Sequence, residues 1–268
     1  MSEVEGDVLS SCAGAVLVLA INNPERRNII TPRLFHSLNQ MLQCAAADNK
    51  VGAVVLTGVG SYFCAGGDLK QLAERRQLSV AQRREKLEGL NGIVRMLRDF
   101  PKPVIAAVEG GAAGAGWSIA LACDLIVAAR DARFSVAYVK VGLTPDGGIT
   151  ALLAQALPRQ LYTQLCLSGE PIDAPRLAAL GVINLIAEPG SADRDALQWA
   201  TALAAGPAKA MQKIKCLCRE AVRASLDEQI ERESEFMVEA QGSEESAEGI
   251  GAFLAKRPPN FARLRSNS

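Results

Sequence analysis

Short apolar runs alternate with amphipathic segments along the first half of the chain. The runs occupy residues 15–21, 51–56, 104–108 and 125–129. They are rich in valine, isoleucine, leucine and alanine, and this pattern predicts buried strands. Between the first two runs, Thr31 precedes Pro32 and apolar residues follow at helical spacing, which predicts an N-capped helix over 32–47. Strands that alternate with helices indicate an α/β fold.

Two other stretches of the chain have a different pattern. Residues 69–100 are rich in charged and amide side chains and predict a solvent-facing helix. No strand is predicted after residue 190, where the pattern predicts helices over 193–205, 207–224 and 225–241. The last of these begins with the capping box Ser225-Leu-Asp-Glu228. We therefore expect a core over residues 1–200 and a C-terminal helical region over 201–268.

The third tail helix has an apolar stripe, formed by Leu226, Ile230, Phe236 and Met237. A helical tail of this size has too little surface of its own to bury such a stripe. We expect the stripe to be buried against the core or against a second subunit.

Composition narrows the classes of partner. The chain has 268 residues with 29 basic and 29 acidic side chains, and aromatic residues make up 4%. Nucleic-acid binding is not expected, because that class of protein usually has a basic excess and aromatic stacking platforms. An anionic ligand would have to be held by local features of the fold.

The cysteines and the histidine of the chain indicate whether a metal site is expected and in which cellular compartment the protein is expected. Seven cysteines without a regular spacing and a single histidine, His36, make a zinc site improbable. We predict reduced thiols and a cytoplasmic protein. The first ten residues are acidic and lack an apolar core, and no apolar run approaches about 20 residues, so neither a signal peptide nor a membrane partner is expected.

Two small-residue loops follow strands, at Phe63–Leu69 and at Glu109–Gly116. Neither fits a dinucleotide fingerprint or a Walker loop. Glycines after strands are frequently simple turns, and that interpretation stays open here. The functional interpretation is that backbone N–H groups at the start of two helices converge and form an oxyanion hole.

At these loops the sequence resembles the enoyl-CoA hydratase/isomerase (crotonase) superfamily. Phe-Cys-Ala-Gly-Gly-Asp-Leu (63–69) and Gly-Gly-Ala-Ala-Gly-Ala-Gly (110–116) resemble its two signatures. Asn-Asn-Pro-Glu-Arg-Arg-Asn (22–28) and Phe-Leu-Ala-Lys-Arg-Pro-Pro-Asn-Phe (253–261) resemble its N-terminal and C-terminal segments. The resemblance spans residues 14–262.

The resemblance implies a spiral of ββα units followed by a helical region. It also implies homotrimers or homohexamers, an acyl-CoA substrate, and no metal or redox cofactor. By position, the oxyanion donors are the N–H groups of Gly67 and Ala115. Residues expected to bind the substrate are Arg26, Asn28, Ala65, Gly66, Asp68, Leu69, Trp117, Ser118, Tyr138, Phe253 and Lys256.

The acid and base residues depart from the hydratase pattern. Hydratases of the family have glutamates at the positions of Ser118 and Tyr138, so efficient hydration is not expected. Asp146, in Pro-Asp-Gly-Gly, matches a carboxylate of the isomerase branch. It is a candidate base, and its alternative role is a helix N-cap. Tyr138 is a hydrogen-bond donor or a packing residue, and Trp117 and Ser118 line the acyl pocket or belong to the core.

The expected function is therefore enoyl-CoA isomerisation through a stabilised enolate, with Asp146 moving the proton. The alternatives are a hydratase with atypical acid and base residues, a thioester hydrolase or dehalogenase with Asp146 as nucleophile, and an inactive CoA-binding scaffold. We expect no catalytic role for His36, which lies in no site motif, and a structural hydrogen-bonding role for Asp124.

Overall fold

The protein is described by a computed structural model over residues 7–265. The strands of this part are β1 (Val8–Ala13), β2 (Val16–Ile21), β3 (Ala53–Gly58), β4 (Val104–Val108), β5 (Gly111–Ala113), β6 (Leu125–Ala129), β7 (Arg133–Ser135), β8 (Ile172–Asp173) and β9 (Leu185–Ala187). The helices are α1 (Pro32–Ala47), α2 (Leu69–Glu74), α3 (Val80–Arg98), α4 (Ala115–Ala122), α5 (Ile149–Ala156), α6 (Arg159–Ser168), α7 (Ala174–Ala179), α8 (Ala192–Ala204), α9 (Ala208–Glu220), α10 (Leu226–Gln241), α11 (Glu244–Leu254) and α12 (Ala262–Arg265).

The apolar runs become neighbouring strands of one six-stranded sheet, in the order β1-β2-β3-β4-β6-β9. The β1–β2 pair is antiparallel and the other pairs are parallel. Every residue of β3 and β4 is buried, which is why these strands appear in the sequence as unbroken apolar runs.

A second, smaller layer of strands makes the fold a spiral. It contains β5, β7 and β8 and is extended by the parallel bridges Cys64–Ala112 and Ile30–Gly67. The chain passes from a main-sheet strand to this second layer and then into a helix, as in β4-β5-α4 and β6-β7-α5. This order is the expected succession of ββα units.

The two faces of the main sheet are covered differently. One face packs against α1, α3 and α4, with Leu34, Leu38 and Leu42 of α1 fully buried. The other face packs against α8 through alanines at every fourth position, namely Ala192, Ala196, Ala200 and Ala204. Small side chains on one helical face allow a helix backbone to approach a sheet closely.

Several element predictions are confirmed and one is wrong. Helix α1 has the predicted bounds, and Oγ1 of Thr31 accepts a hydrogen bond from the Leu34 N–H at 3.1 Å. The single solvent-facing helix predicted over 69–100 is instead two helices separated by the 3-10 segment Arg75–Gln77. The break occurs because Ser79 forms a capping box that starts α3, and α3 then buries Leu90, Ile93 and Leu97.

The helical tail is tied to the core by a partly exposed ion pair. Nζ of Lys215 on α9 lies 2.5 Å from Oδ2 of Asp124, and the same oxygen accepts the Val104 N–H at 2.7 Å. Asp124 therefore has the structural hydrogen-bonding role that the sequence predicted. Burial raises the pKa of its carboxyl, and the opposite charge of Lys215 acts against that effect.

The apolar stripe on α10 is not buried within one chain. The capping box of Ser225 and Glu228 forms as predicted, but Leu226, Ile230 and Met237 are 75%, 47% and 60% exposed. Phe236 is half-buried beneath the cations of Arg232 and Lys213. The helix lies on the outside of the tail, so the core of the same chain does not cover it.

Candidate active site

The two small-residue loops lie at the carboxyl ends of the adjacent parallel strands β3 and β4 and pack directly against each other. A Cβ built on Gly66, whose φ is +87°, would lie 2.6 Å from the Ala113 carbonyl oxygen. A Cβ on Gly116 would overlap the Cys64 carbonyl. Glycine is therefore required at both positions by the close approach of the loops, and at Gly66 also by its backbone angle.

Each loop ends at the start of a helix. Asp68 is the N-cap of α2: its Oδ1 accepts the Lys70 N–H at 3.0 Å, while its Oδ2 pairs with Arg26 at 3.1 Å. Gly114, with a φ of +51°, precedes α4, and Ala115 is the first residue of that helix. Within residues 7–265, the N–H groups of Gly67 and Ala115 have no hydrogen-bond partner.

Gly67 and Ala115 line one cavity of about 300 Å³. Its wall is completed by Ile30, Thr31, Pro32, Phe35, Asp68, Leu72, Arg75, Lys86, Leu87, Leu90, Tyr138, Leu143, Thr144, Pro145 and Asp146. Two unpaired N–H donors next to each other in a mostly apolar cavity can stabilise a developing negative charge on a carbonyl oxygen.

Asp146 contributes a carboxylate to the same cavity. Its Oδ1 accepts a hydrogen bond from the Tyr138 hydroxyl at 2.7 Å. The N-cap of the following helix is Gly148, with no side-chain cap, so the Asp146 side chain does not cap α5. Of the two carboxylates that line the cavity, Asp68 is ion-paired and Asp146 is not. The geometry thus favours a chemical role for Asp146 over the capping alternative.

Ser118 and Tyr138 both adjoin Asp146. The Ser118 hydroxyl is fully buried and lies 3.4 Å from the Asp146 backbone carbonyl, to which it can donate. Burial of the phenol raises the pKa of Tyr138, and the nearby Asp146 charge raises it further. Tyr138 therefore stays protonated and serves as a hydrogen-bond donor to the carboxylate.

Two predicted substrate-binding residues have structural positions instead. Asn28 is fully buried, and its amide donates to the carbonyls of Val59 at 3.0 Å and Tyr62 at 2.6 Å. Trp117 is fully buried and packs against Phe134, with ring centroids 5.5 Å apart. Neither side chain reaches the cavity wall. Arg26, half-exposed, is held by Asp68 beside the first loop.

The remaining predicted residues lie around the loops or in the tail. Ala65 lies within the first loop, and Leu69 is its last residue. The Ala65 N–H donates to the Arg27 carbonyl at 2.9 Å. Phe253 is 83% exposed on α11, and Lys256 follows it with a φ of +52°. Within the described chain neither tail residue lines the cavity, and their contact with CoA stays a prediction.

Side chains of α1, α2 and α3 line the cavity without having been predicted there. They are Phe35, Leu72, Arg75, Lys86, Leu87 and Leu90. The sequence predicted a solvent-facing helix over 69–100, so it did not identify Leu72, Leu87 and Leu90 as cavity wall. Their place in the wall depends on tertiary packing. A Cβ on Gly89 would lie 2.6 Å from Phe35, so α1 and α3 meet beside the cavity.

Other groups near the loops are poorly suited to nucleophilic or metal chemistry. Burial raises the pKa of the Cys64 thiol to about 12, so it stays neutral. His36 is exposed on α1 and does not line the cavity, in keeping with the expectation that it has no catalytic role. Over residues 7–265, no three His, Cys, Asp or Glu side chains are grouped as metal ligands.

A larger cavity of about 460 Å³ lies between the C-terminal end of α1 and the tail helices. Three of its charged side chains are bonded to backbone groups: Lys102 donates to the carbonyls of Ala45 and Asp48, Arg265 donates to the Ala204 carbonyl, and Glu245 accepts the N–H groups of Lys209 and Ala210. The Lys102 and Glu245 contacts cap helix ends.

A ββα spiral with paired small-residue loops over one cavity defines the crotonase class of thioester enzymes. A sequence model described as enoyl-CoA hydratase/isomerase matches residues 11–264. The crystal structure of an enoyl-CoA hydratase from Polaromonas sp. JS666 has a TM-score of 0.93 and 42% identity, covering 95% of this chain and 99% of that one. The chain belongs to the enoyl-CoA hydratase/isomerase family.

Two relatives from Escherichia coli (strain K12) have different activities in their names. A 1,2-epoxyphenylacetyl-CoA isomerase is 35% identical over 255 residues, covering 95% of this chain and 97% of that protein. A 2,3-dehydroadipyl-CoA hydratase is 33% identical over 247 residues, covering 92% and 94%. Overall similarity therefore assigns an acyl-CoA enzyme and leaves the reaction to the residues of the site. In the described part of the chain, no helix has the length and apolar composition of a membrane span.

Proposed function

We propose that this protein is an enoyl-CoA isomerase that moves a carbon–carbon double bond along the acyl chain. The observation that supports this best is the carboxylate set of the cavity. Asp146 is its one carboxylate without an ion pair among the described residues. By the family resemblance, Ser118 and Tyr138 stand where hydratases have their two glutamates. Hydration needs a water held between two acidic groups, whereas isomerisation needs one base.

In the proposed reaction, the Asp146 carboxylate takes a proton from the carbon next to the thioester of a 3-enoyl-CoA. The electron pair moves into the conjugated system, and negative charge develops on the thioester oxygen. The N–H groups of Gly67 and Ala115 donate hydrogen bonds to that oxygen. The protonated Asp146 then returns the proton to the far carbon of the former double bond, so that the double bond becomes conjugated with the thioester.

Proton transfer by one carboxylate is redox-neutral, so the proposed reaction uses no metal or redox cofactor. Tyr138 assists by holding one oxygen of Asp146 at 2.7 Å, which leaves the second oxygen available for the substrate proton. We also propose a cytoplasmic homotrimer or homohexamer, in which the exposed stripe of α10 packs against another copy.

The test is a comparison of two reactions of the wild-type enzyme. Isomerisation of a 3-enoyl-CoA should be faster than hydration of the matching 2-enoyl-CoA, and deuterium from the solvent should enter the acyl chain. Faster hydration would overturn the proposal in favour of the hydratase alternative. Two of the relatives have the word hydratase in their names. Tight binding of CoA thioesters without exchange or turnover would indicate an inactive scaffold.

A further inference from the structure

Two cations line the cavity without an acidic partner. Arg75 is half-buried and Lys86 is exposed, and both contribute to the cavity wall. Over residues 7–265, neither side chain forms an ion pair or a hydrogen bond. The two carboxylates of the wall are occupied elsewhere, Asp68 by Arg26 and Asp146 by the Tyr138 hydroxyl. Neither cation is therefore paired with a carboxylate of the cavity wall.

The positions of these cations follow from the helices that hold them. A Cβ on Gly67 would lie 3.5 Å from Cδ1 of Leu72, so Leu72 adjoins the oxyanion donor. Arg75 follows Leu72 by three residues and lies on the same helical face. It is therefore displaced from the oxyanion donors by about one helical turn, or roughly 5 Å.

Lys86 likewise lies about one helical turn from a leucine, and that leucine adjoins the loop of the base. A Cβ on Gly147, the residue after Asp146, would lie 2.8 Å from Cδ2 of Leu90, so Leu90 adjoins the loop that holds the base. Lys86 precedes Leu90 by four residues on α3, about one turn away. Both cations thus lie beyond the leucines that flank the reacting groups.

We propose that the acyl group of the substrate ends in an anionic group, a carboxylate, that is bound by Arg75 and Lys86. This inference rests on the proposed function, which places the thioester at Gly67 and Ala115 and the reacting carbons at Asp146. The acyl chain passes Asp146 and continues past Leu90, so the next polar groups it meets are these cations. Leu87 and Phe35 contact its methylene groups on the way.

A carboxylate fits this end of the cavity better than a phosphate of CoA does. The CoA moiety leaves the thioester in the direction opposite to the reacting carbons. Lys86 lies about one turn from Leu90, which adjoins the loop of the base, and Arg75 lines the same cavity as Asp146. Guanidinium and ammonium groups bind carboxylates through charge-assisted hydrogen bonds.

The experiment measures binding of unreactive saturated thioesters by isothermal titration calorimetry. Adipyl-CoA is compared with hexanoyl-CoA, and suberyl-CoA with octanoyl-CoA, so that each pair differs only at the chain end. Of adipyl-CoA and suberyl-CoA, the one that binds more tightly should bind to wild-type protein about tenfold more tightly than the methyl-ended thioester of the same length. In Arg75→Gln/Lys86→Gln this preference should disappear, while hexanoyl-CoA binds as before.

The matched control is Arg76→Gln/Arg84→Gln, which removes two exposed cations of the same segments that do not line the cavity. It should retain the preference, and circular dichroism melting should show that all variants fold. Equal binding of the two chain ends by wild-type protein would overturn the inference. A parallel loss of affinity for free CoA in Arg75→Gln/Lys86→Gln would also overturn it, because the cations would then bind CoA phosphates.

These outcomes are separable from a failure of the proposed function. Saturated thioesters require no chemistry, so a carboxylate preference is measurable whether or not the protein isomerises a double bond. A protein that binds no CoA thioester at all would contradict the proposed function itself. A protein that isomerises methyl-ended and carboxylate-ended substrates equally well would contradict the inference alone.

Discussion

The Tyr138 hydroxyl donates to Oδ1 of Asp146 at 2.7 Å, across eight residues of chain and inside the cavity that the two glycine loops adjoin. The bond fixes the orientation of the carboxylate and engages one of its two oxygens. It also explains why Asp146 does not cap α5, since the side chain is turned toward Tyr138.

Asp146→Asn should lower the rate of isomerisation by about 100-fold or more, which is the usual scale of general acid–base catalysis. Asparagine keeps the size of the side chain and can still accept the Tyr138 bond, so the melting temperature should change little. Initial rates with a 3-enoyl-CoA give the measurement. Asp131→Asn, at an exposed turn, is the control and should be unaffected. Wild-type rates in Asp146→Asn would show that Asp146 is not the base.

Tyr138→Phe should lower kcat by about 10- to 100-fold with little change in KM, because a hydrogen bond to a charged group contributes about 1.5–3 kcal/mol. A positioning residue acts through the base, so Tyr138→Phe should have no further effect on an Asp146→Asn background. Tyr162→Phe, on α6 outside the cavity, is the matched control. Additive losses in the double variant would mean that Tyr138 acts independently of Asp146.

The oxyanion donors can be removed one at a time. Ala115→Pro deletes one N–H at the first position of α4, where a helix tolerates proline. Gly67→Pro deletes the other. Each should lower the rate by about 100- to 1000-fold, the typical cost of one such donor, with a much smaller change in CoA affinity.

Gly67→Ala provides the control for the first loop. The added Cβ meets only Leu72, at the ordinary contact distance of 3.5 Å, and the N–H is kept. The alanine variant should therefore retain most of the activity that the proline variant loses. If folded proline variants, checked by circular dichroism, keep the full rate, these N–H groups do not form the oxyanion hole.

Glu248 should make the stability of the tail dependent on acid pH. Its buried carboxylate accepts hydrogen bonds from Arg257, Arg263 and the Asn260 N–H. Chiefly through the Arg257 bond, these partners lower its pKa from 4.5 to about 2. Because the folded-state pKa is depressed, the stabilisation is complete above about pH 4.5 and is lost as the pH falls toward 2.

The corresponding measurement is thermal unfolding of wild-type protein and Glu248→Gln between neutral and acid pH. The variant should melt lower than wild type at pH 7, and the difference should shrink as the pH falls through this window. Glu231→Gln, at an exposed position on α10, should match wild type throughout. A pH-independent difference would mean that the ionised form of Glu248 is not what stabilises the tail.

The exposed stripe of α10 predicts assembly with a second copy. Ile230→Glu/Met237→Glu should dissociate the oligomer in size-exclusion chromatography with light scattering, because charge on both sides of an apolar contact is strongly unfavourable. Truncation after residue 190 would be less informative, since it also removes α8 from the sheet face. A wild-type monomer, or a variant that stays fully assembled, would contradict this use of the stripe.

Local signals in the sequence were sufficient for elements whose causes lie within a few residues. Thr31 and Pro32 begin α1, Ser225 and Glu228 begin α10, and the unbroken apolar runs become β4 and β6, because capping and burial leave a direct imprint on composition. The two signature loops were also identifiable, since close loop packing admits little besides glycine. The family and its fold followed from these motifs.

Tertiary structure decided what depends on contacts between distant residues. Strands of two or three residues, such as β5, β7 and β8, are too short for a periodic pattern and form because the second layer pairs them. Asn28 became a structural residue because carbonyls about 30 positions away converge on its amide. Whether Asp146 capped a helix or faced a cavity depended on its contact with Tyr138. Which side chains line the acyl cavity depended on where α1 and α3 leave space between them. Such outcomes follow from three-dimensional proximity, which spacing along one chain does not encode.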